Sequence, residues 1–273
     1  MAPGSSHWNA HARRWQLVGA PLRPAASDLE FMRATIDRFG SFTGQANALL
    51  LGVTPEIAEM PWDFPLSLVA VDKSEGMVQG VWPGDTTTRH ALVGDWLSLE
   101  LPQAPFDLVL GDGVFTLFEH PTGYESLGAA LARVTRPAGL FCVRLFCRVT
   151  PNEPLERVFE EAFERRIGNF NVFKWRLAMA LQGDRTRGVR LADVWNTFVA
   201  HADSVANFAS RSGFPEAVVG TIEGYADVDD CYSFSTESEV IRALAPHFEL
   251  LESWHPTYEL GERCPHLTFR RRS

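Results

Sequence analysis

The chain has 273 residues, 45% of them apolar, with a formal net charge of −9. That is enough apolar material for the core of one α/β domain with extensions, while the acidic balance argues against a general nucleic-acid binder, and no run of ~18 apolar residues is present to span a bilayer. The four cysteines, Cys142, Cys147, Cys231 and Cys264, include no C-x-x-C pair, so reduced thiols are expected rather than a disulfide framework or a zinc site.

The N-terminal segment MAPGSSHWNAHARRW has no apolar signal core, which leads to the expectation of a cytoplasmic protein. His7 and His11 have the i, i+4 spacing of a helical metal pair but no third ligand, and no metal site is expected. Pro21-Leu22-Arg23-Pro24 reads as a rigid extended segment. Ser27 or Asp28 then caps a helix running to Phe39. Residues 1–44 form an N-terminal helical extension or lid in this reading. Arg23 either meets a ligand carboxylate or only pins the segment to the surface.

The stretch ALLLGVTPEIAEMPWDFPLSLVAVD, Ala48–Asp72, reads as a buried strand, a tight turn, a short helix and a second strand. Thr54 is placed to cap the helix, and Pro55 falls at its first position. Asp72 stands about 20 positions after the turn, where a doubly wound sheet grips ribose hydroxyls. The turn has Gly52 alone, not G-x-G-x-x-G. Pro55 removes a backbone donor, and Glu56 would repel a pyrophosphate. A cofactor with a ribose and cationic groups but no phosphate suits this turn better than NAD or FAD. S-adenosylmethionine is such a molecule, and an NAD(P) oxidoreductase stays as a weaker alternative.

Further strands follow in order. Ala91–Leu99 (ALVGDWLSL) holds a short strand ending at Gly94 and Asp95. Phe106–Asp112 (FDLVLGD) is an apolar strand closed by Gly111, Asp112 and Gly113. Gly139–Phe146 (GLFCVRLF) follows the turn Arg136–Gly139. An amphipathic helix, Tyr124–Val134, lies between the last two. Cys142 and Cys147 sit at odd spacing on that last strand and so face opposite sides. Three strands thus end in an acidic residue, Asp72, Asp95 and Asp112, and in an open α/β sheet such ends converge on one ligand crevice.

These pieces resemble the class I S-adenosylmethionine-dependent methyltransferase family: LLLGVTPE at the first turn, VAVDKSEGMV at the second strand, VGDWLSL at the third, FDLVLGDG at the fourth and RVTRPAGLFCVRLF at the fifth. The resemblance covers about residues 45–148, with a tail at Phe248–Arg271. It implies a Rossmann-like, doubly wound, seven-stranded, mostly parallel sheet with an antiparallel last strand. It also implies that Asp72 binds the ribose hydroxyls, Asp95 the adenine amino group with the Trp96 backbone beside the ring, and Met77 the adenine or ribose face. Asp112 would border the sulfonium and the methyl acceptor. Gly52, Thr54, Pro55, Lys73, Gly94 and Gly113 complete the expected cofactor contacts. The family's first motif usually carries an acidic residue and further glycines. Here GVTPE replaces them, with Glu56 as a substitute partner for the cofactor ammonium.

Residues 151–230 read as a helical, aromatic-rich insertion, with helices over Leu155–Arg166, Val172–Leu181 and Leu191–Ala202, placed where the family carries substrate-specific insertions. Phe159, Phe163, Phe170, Phe173 and Trp175 read mainly as core of this cap. Asp227, Asp229 and Asp230 read as a solvated loop. The core is expected over residues 45–150 and 231–273, closing with a helix and the strands Phe248–Trp254 and His266–Arg271. The expected activity is methyl transfer to a small-molecule acceptor on oxygen or nitrogen. If a base is needed, the candidates are Asp112, then His120, then Glu119. A non-catalytic binding or scaffold protein on the same fold is the alternative. No nucleic-acid-methylating quartet follows the fourth strand, no membrane or nucleic-acid partner is expected, and the oligomeric state is not legible.

Overall fold

A computed structural model describes residues 5–183 and 187–273; residues 1–4 and 184–186, which belong to the N-terminal and insertion segments read above, lie outside it. Two helices, α1 (Ser5–Arg13) and α2 (Ala26–Phe39), precede the sheet. There follow β1 (Ala46–Leu51), α3 (Pro55–Ala58), β2 (Leu66–Asp72), α4 (Glu75–Gly80), β3 (Arg89–Val93), β4 (Phe106–Asp112), α5 (Thr122–Val134) and β5 (Thr135–Arg144). The insertion holds α6 (Leu155–Phe163), α7 (Phe170–Gln182), β6 (Val189–Arg190), α8 (Leu191–Ala202), α9 (Val205–Ser212) and α10 (Glu216–Val219). The chain closes with β7 (Cys231–Tyr232), α11 (Glu237–Leu244), β8 (Phe248–Trp254) and β9 (His266–Arg271).

The seven-stranded sheet has the order β3-β2-β1-β4-β5-β9-β8, with β6 and β7 pairing separately. All its strands run parallel except β9, which is antiparallel to both β5 and β8. A dinucleotide-binding sheet keeps the order 3-2-1-4-5-6. The antiparallel strand inserted beside β5 therefore separates this sheet from that type. It is the seven-stranded doubly wound arrangement expected from the sequence.

The central strands are continuous apolar runs because both faces are covered. Leu49 and Leu51 of β1 pack with Trp96, Phe115 and Leu127 on one side, and Ala48 and Leu50 with Met32, Ile36 and Met77 on the other. Cys142 and Cys147 fall in these two opposite clusters, Cys142 from within β5 and Cys147 from beyond its end. A third cluster fills the insertion around Phe159, Phe170, Phe173, Phe198 and Phe208. It reaches the sheet at Phe146, just beyond the carboxyl end of β5, and takes in Leu22 of the N-terminal segment.

Several boundaries differ from the sequence reading. The Arg136–Gly139 turn lies inside β5: Phe106 pairs with Thr135 and Leu108 with Leu140, so the extra residues bulge opposite Asp107. Arg136 pairs with the Asp107 carboxylate there, and Ala138 takes φ +62°. Helix α6 stops at Phe163, short of Arg166, and Arg165 turns the chain at φ +58°. Ala25, not Ser27 or Asp28, occupies the residue before α2; Asp28 lies one turn in and accepts the Ala25 N–H at 2.7 Å. Cys147 lies past the end of β5, in a bridge with Ser235.

Candidate active site

The strand order reverses between β1 and β4, so their carboxyl ends bound the crevice in which ligands of open α/β sheets bind. Gly52 follows β1 with φ +91°, a left-handed conformation in which a side chain is strained. A Cβ built on Gly52 would lie 3.8 Å from Asp72 Oδ2 and 4.0 Å from the Trp96 ring, so Gly52, Asp72 and Trp96 meet at one point. Asp72 is fixed there because its Oδ1 accepts the Ser74 N–H at 2.8 Å. Burial raises its pKa, and the Ser74 N–H partly offsets this. Trp96 is held edge-in by donating Nε1–H to the Val71 carbonyl at 2.6 Å.

The first turn carries a second polar centre. Thr54 stands ahead of α3 and Pro55 opens that helix, but the Thr54 side chain makes no capping bond. Glu56 instead meets Arg23, whose Nε donates to Oε1 at 2.5 Å. Arg23 also donates to the Trp15 and Val18 carbonyls and stacks over the Trp15 ring at 4.9 Å. Arg23 thus reaches the crevice by binding Glu56. Glu56 Oε2 is buried without a hydrogen-bond partner, and so is Trp15 Nε1. A buried, unpaired carboxylate oxygen costs about 1–3 kcal/mol or more unless a donor arrives. A cationic ligand group fits that requirement, whereas a pyrophosphate does not.

At the other wall, Asp112 and Arg144 form a two-point ion pair, Nε to Oδ1 at 2.6 Å and Nη2 to Oδ2 at 3.0 Å. Arg144 Nη1 continues to the Tyr258 hydroxyl at 3.0 Å and to Asp28 Oδ2 at 3.5 Å. Asp28 Oδ1 accepts from Tyr258 and lies 2.8 Å from His266 Nε2. Burial opposes the Arg144 cation, but Asp112 and Asp28 outweigh it and raise its pKa. Burial likewise opposes the Asp28 anion, yet His266 and Arg144 leave its pKa lowered. Burial lowers the pKa of His266. Each Asp112 oxygen thus accepts from the Arg144 guanidinium, which holds this carboxylate in place as its ion-pair partner. Gly113 follows at φ +64°, where a Cβ would come within 2.5 Å of the Phe146 ring.

The remaining sequence candidates surround this crevice or stand apart from it. Asp95 accepts from the Leu97 N–H and from Lys73 Nζ, each at 3.0 Å, and these two contacts lower its pKa. Lys73 is exposed. Gly94 N–H donates to the Asp72 carbonyl at 3.0 Å and locks the two strand ends together. Met77 is the buried residue of α4, whose start is capped by Ser74. Helix α1 lies across α4, with Asn9 packed on Gly76. His120 packs on Tyr124 at 5.3 Å and faces Glu239, and among the described residues it bonds to neither Asp112 nor Gly113.

Arg144, Tyr258, His266 and Trp15 escaped the sequence reading. One signal was available: Arg144 interrupts the apolar run GLFCVRLF, and a charge inside a central strand requires a partner. His7 bonds to the Gly224 carbonyl and Tyr232, and His11 packs between Trp8 and Trp15. No group of three metal-ligating side chains occurs among the described residues.

No protein-family profile and no curated protein matches the sequence. Solved structures do match its fold. The Streptomyces caelestis methyltransferase CcbJ superposes with a TM-score of 0.57 at 11% identity, over 98% of this chain and 99% of its own. The Burkholderia thailandensis 1,6-didemethyltoxoflavin-N1-methyltransferase, solved with 1,6-didemethyltoxoflavin and S-adenosylhomocysteine, gives 0.51 at 18% identity, over 100% and 92%. The chain has the class I methyltransferase fold. A candidate Zn-dependent alcohol dehydrogenase from Rhodobacter sphaeroides also superposes, at 0.59 and 14% identity over 96% and 99%. At such identities the likeness is one of fold. The methyltransferase fold is recognisable here by its sheet order, with antiparallel β9 set beside β5.

Proposed function

We propose that the protein binds S-adenosylmethionine at the β1–β4 crevice and transfers its methyl group to a small-molecule acceptor. The observation that carries this reading is the presence of two carboxylates at the first turn: Asp72, whose Oδ2 lies beside Gly52, and Glu56, whose buried Oε2 has no hydrogen-bond partner. The residues fit the donor's chemistry. Asp72 suits a ribose diol, Glu56 an ammonium, and the Asp95–Trp96 turn with Met77 an adenine. Arg23 keeps Glu56 in place. Bound there, S-adenosylmethionine supplies a methyl group on a cationic sulfur.

The chain's own part is positioning. Trp96, Gly113 and Phe146 close the crevice around the reacting groups, and the insertion covers it from the side of Phe146. Holding acceptor and donor in line supplies up to roughly 7–11 kcal/mol in well-oriented systems. Asp112 is held by Arg144, which favours an acceptor that attacks without a base on this carboxylate, such as an amine or ring nitrogen. The net charge of −9 speaks for a small acceptor rather than a nucleic acid. Residues 151–230 are the segment that selects the acceptor in this account.

The experiment is transfer of isotope-labelled methyl from S-adenosylmethionine into a cell extract separated into small-molecule, protein and nucleic-acid fractions. Label in the small-molecule fraction is the expected result. Tight binding of the donor with no labelled product in any fraction would instead support the non-catalytic binding protein, a reading that the occupied Asp112 carboxylate also suits.

A further inference from the structure

Helix α7 buries two polar side chains, Asn171 and Trp175, and leaves a polar atom of each unpaired. Asn171 and Trp175 are four residues apart, hence on one face of the helix. They are 5% and 6% exposed. Asn171 Nδ2 lies 3.8 Å from where a Gly19 side chain would begin. Trp175 stands edge-on to Phe146 at 5.2 Å, the ring that covers Gly113. This face therefore runs from the segment bearing Trp15 and Arg23 to the carboxyl ends of β4 and β5.

Asn171 Oδ1 and Trp175 Nε1 are both buried without a hydrogen-bond partner. The other polar side chains of the same helix are satisfied: Lys174 on Thr221, Arg176 on Glu153 and Glu161, Gln182 on the Phe234 backbone. Among the described polar side chains of this helix, Asn171 and Trp175 are the two with an atom left open. Native interiors rarely leave such groups unpaired, and exceptions mark a ligand or a function. At the crevice walls Arg144 is matched by Asp112 and Asp28, and Arg23 by Glu56, while Asp72 is left for the donor's ribose.

We infer that Asn171 and Trp175 read the methyl acceptor, and that this acceptor is an uncharged, flat ring system with a hydrogen-bond acceptor on one edge and an N–H or O–H on another. The Trp175 N–H donates to the first, the Asn171 carbonyl accepts from the second, and the ring packs against Phe146. This rests on the methyl-transfer reading above and adds to it the acceptor class and the residues that select it.

The test uses full-length protein saturated with S-adenosylhomocysteine. The probes are 4-quinolone, a neutral ring with an N–H and a carbonyl on opposite edges, its 1-methyl derivative, and quinoline-4-carboxylate. The expected result is binding of 4-quinolone, about tenfold weaker binding of the other two, and about tenfold weaker binding of 4-quinolone by Trp175→Phe and Asn171→Leu, with S-adenosylhomocysteine affinity unchanged. A shift of the Trp175 indole N–H resonance in the wild-type protein on adding 4-quinolone gives the same information without a variant. The inference is overturned if 4-quinolone does not bind, if the carboxylate binds better, or if the indole resonance stays still. Failure of S-adenosylhomocysteine to bind the wild type would instead overturn the methyl-transfer reading.

Discussion

Asp112 and Arg144 face each other in register at the carboxyl ends of β4 and β5 and share two hydrogen bonds, with the Arg144 side chain 1% exposed. The pair joins two neighbouring parallel strands at the wall of the crevice. Through Asp28 and Tyr258 it also ties helix α2 and the loop before β9 to the same point. A buried guanidinium is stable only while its anions stay.

Asp112→Asn should therefore destabilise the fold by about 3–5 kcal/mol, the usual cost of breaking one side of a buried ion pair. The double variant Asp112→Leu with Arg144→Met should lose less than the sum of the losses of Asp112→Leu and Arg144→Met alone, because the two charges leave together. Chemical denaturation of these three variants and the wild type measures this. Additive losses would mean that the two side chains do not depend on each other.

Glu56→Gln keeps the size of the side chain and removes its charge. S-adenosylhomocysteine affinity should fall by roughly 1.5–3 kcal/mol, the range for a hydrogen bond to a charged group. 5′-Methylthioadenosine, which lacks the amino-acid end, should bind as before. Calorimetric titration of both ligands decides it: equal loss for both would show that Glu56 supports the turn through Arg23 rather than reading an ammonium.

His11 makes stability depend on pH. Burial, with Lys174 and His7 nearby, depresses its pKa from 6.5 to about 3. Arg14, Thr221, Gly224 and Tyr225 line the same small cavity. A histidine with a depressed folded pKa contributes fully above its unfolded value near 6.5, and the contribution is lost as pH falls toward 3, because the unfolded chain binds the proton more readily. His7 is lowered in the same direction by burial. Denaturation midpoints should fall between pH 6.5 and 4, at up to about 1.4 kcal/mol per pH unit for His11. His11→Phe, which keeps an aromatic ring between Trp8 and Trp15, should flatten the curve. An unchanged slope would show that His11 is not the titrating group.

Much of the fold is legible because apolar runs fix it locally. β4, β8 and β9 were readable to the residue from FDLVLGD, FELLESW and HLTFRR, each a run bounded by polar or turn residues. The start of β5 was not, because Arg136–Gly139 reads as a turn in isolation and becomes part of the strand only once Asp107 holds Arg136. The candidate site divides in the same way. Gly52 and Asp72 are placed by strand ends, which a sequence shows. The partners of Asp112, Arg23 and Asp28 come from Arg144, Glu56 and His266, between 32 and 238 residues away along the chain, and side-chain pairing over such separations leaves no periodic mark. Thr54 sits at the residue expected of a helix cap without making the bond, since Arg23 and Glu56 organise that turn instead.

Calorimetric titration of the wild type and of Asp72→Ala with S-adenosylhomocysteine, with NAD as the comparison ligand, tests the central claim most directly. The account predicts binding of S-adenosylhomocysteine by the wild type, no comparable binding of NAD, and a loss of about 1.5–3 kcal/mol in the variant with the fold intact. Equal affinity of the two proteins, or preference for NAD, would contradict it.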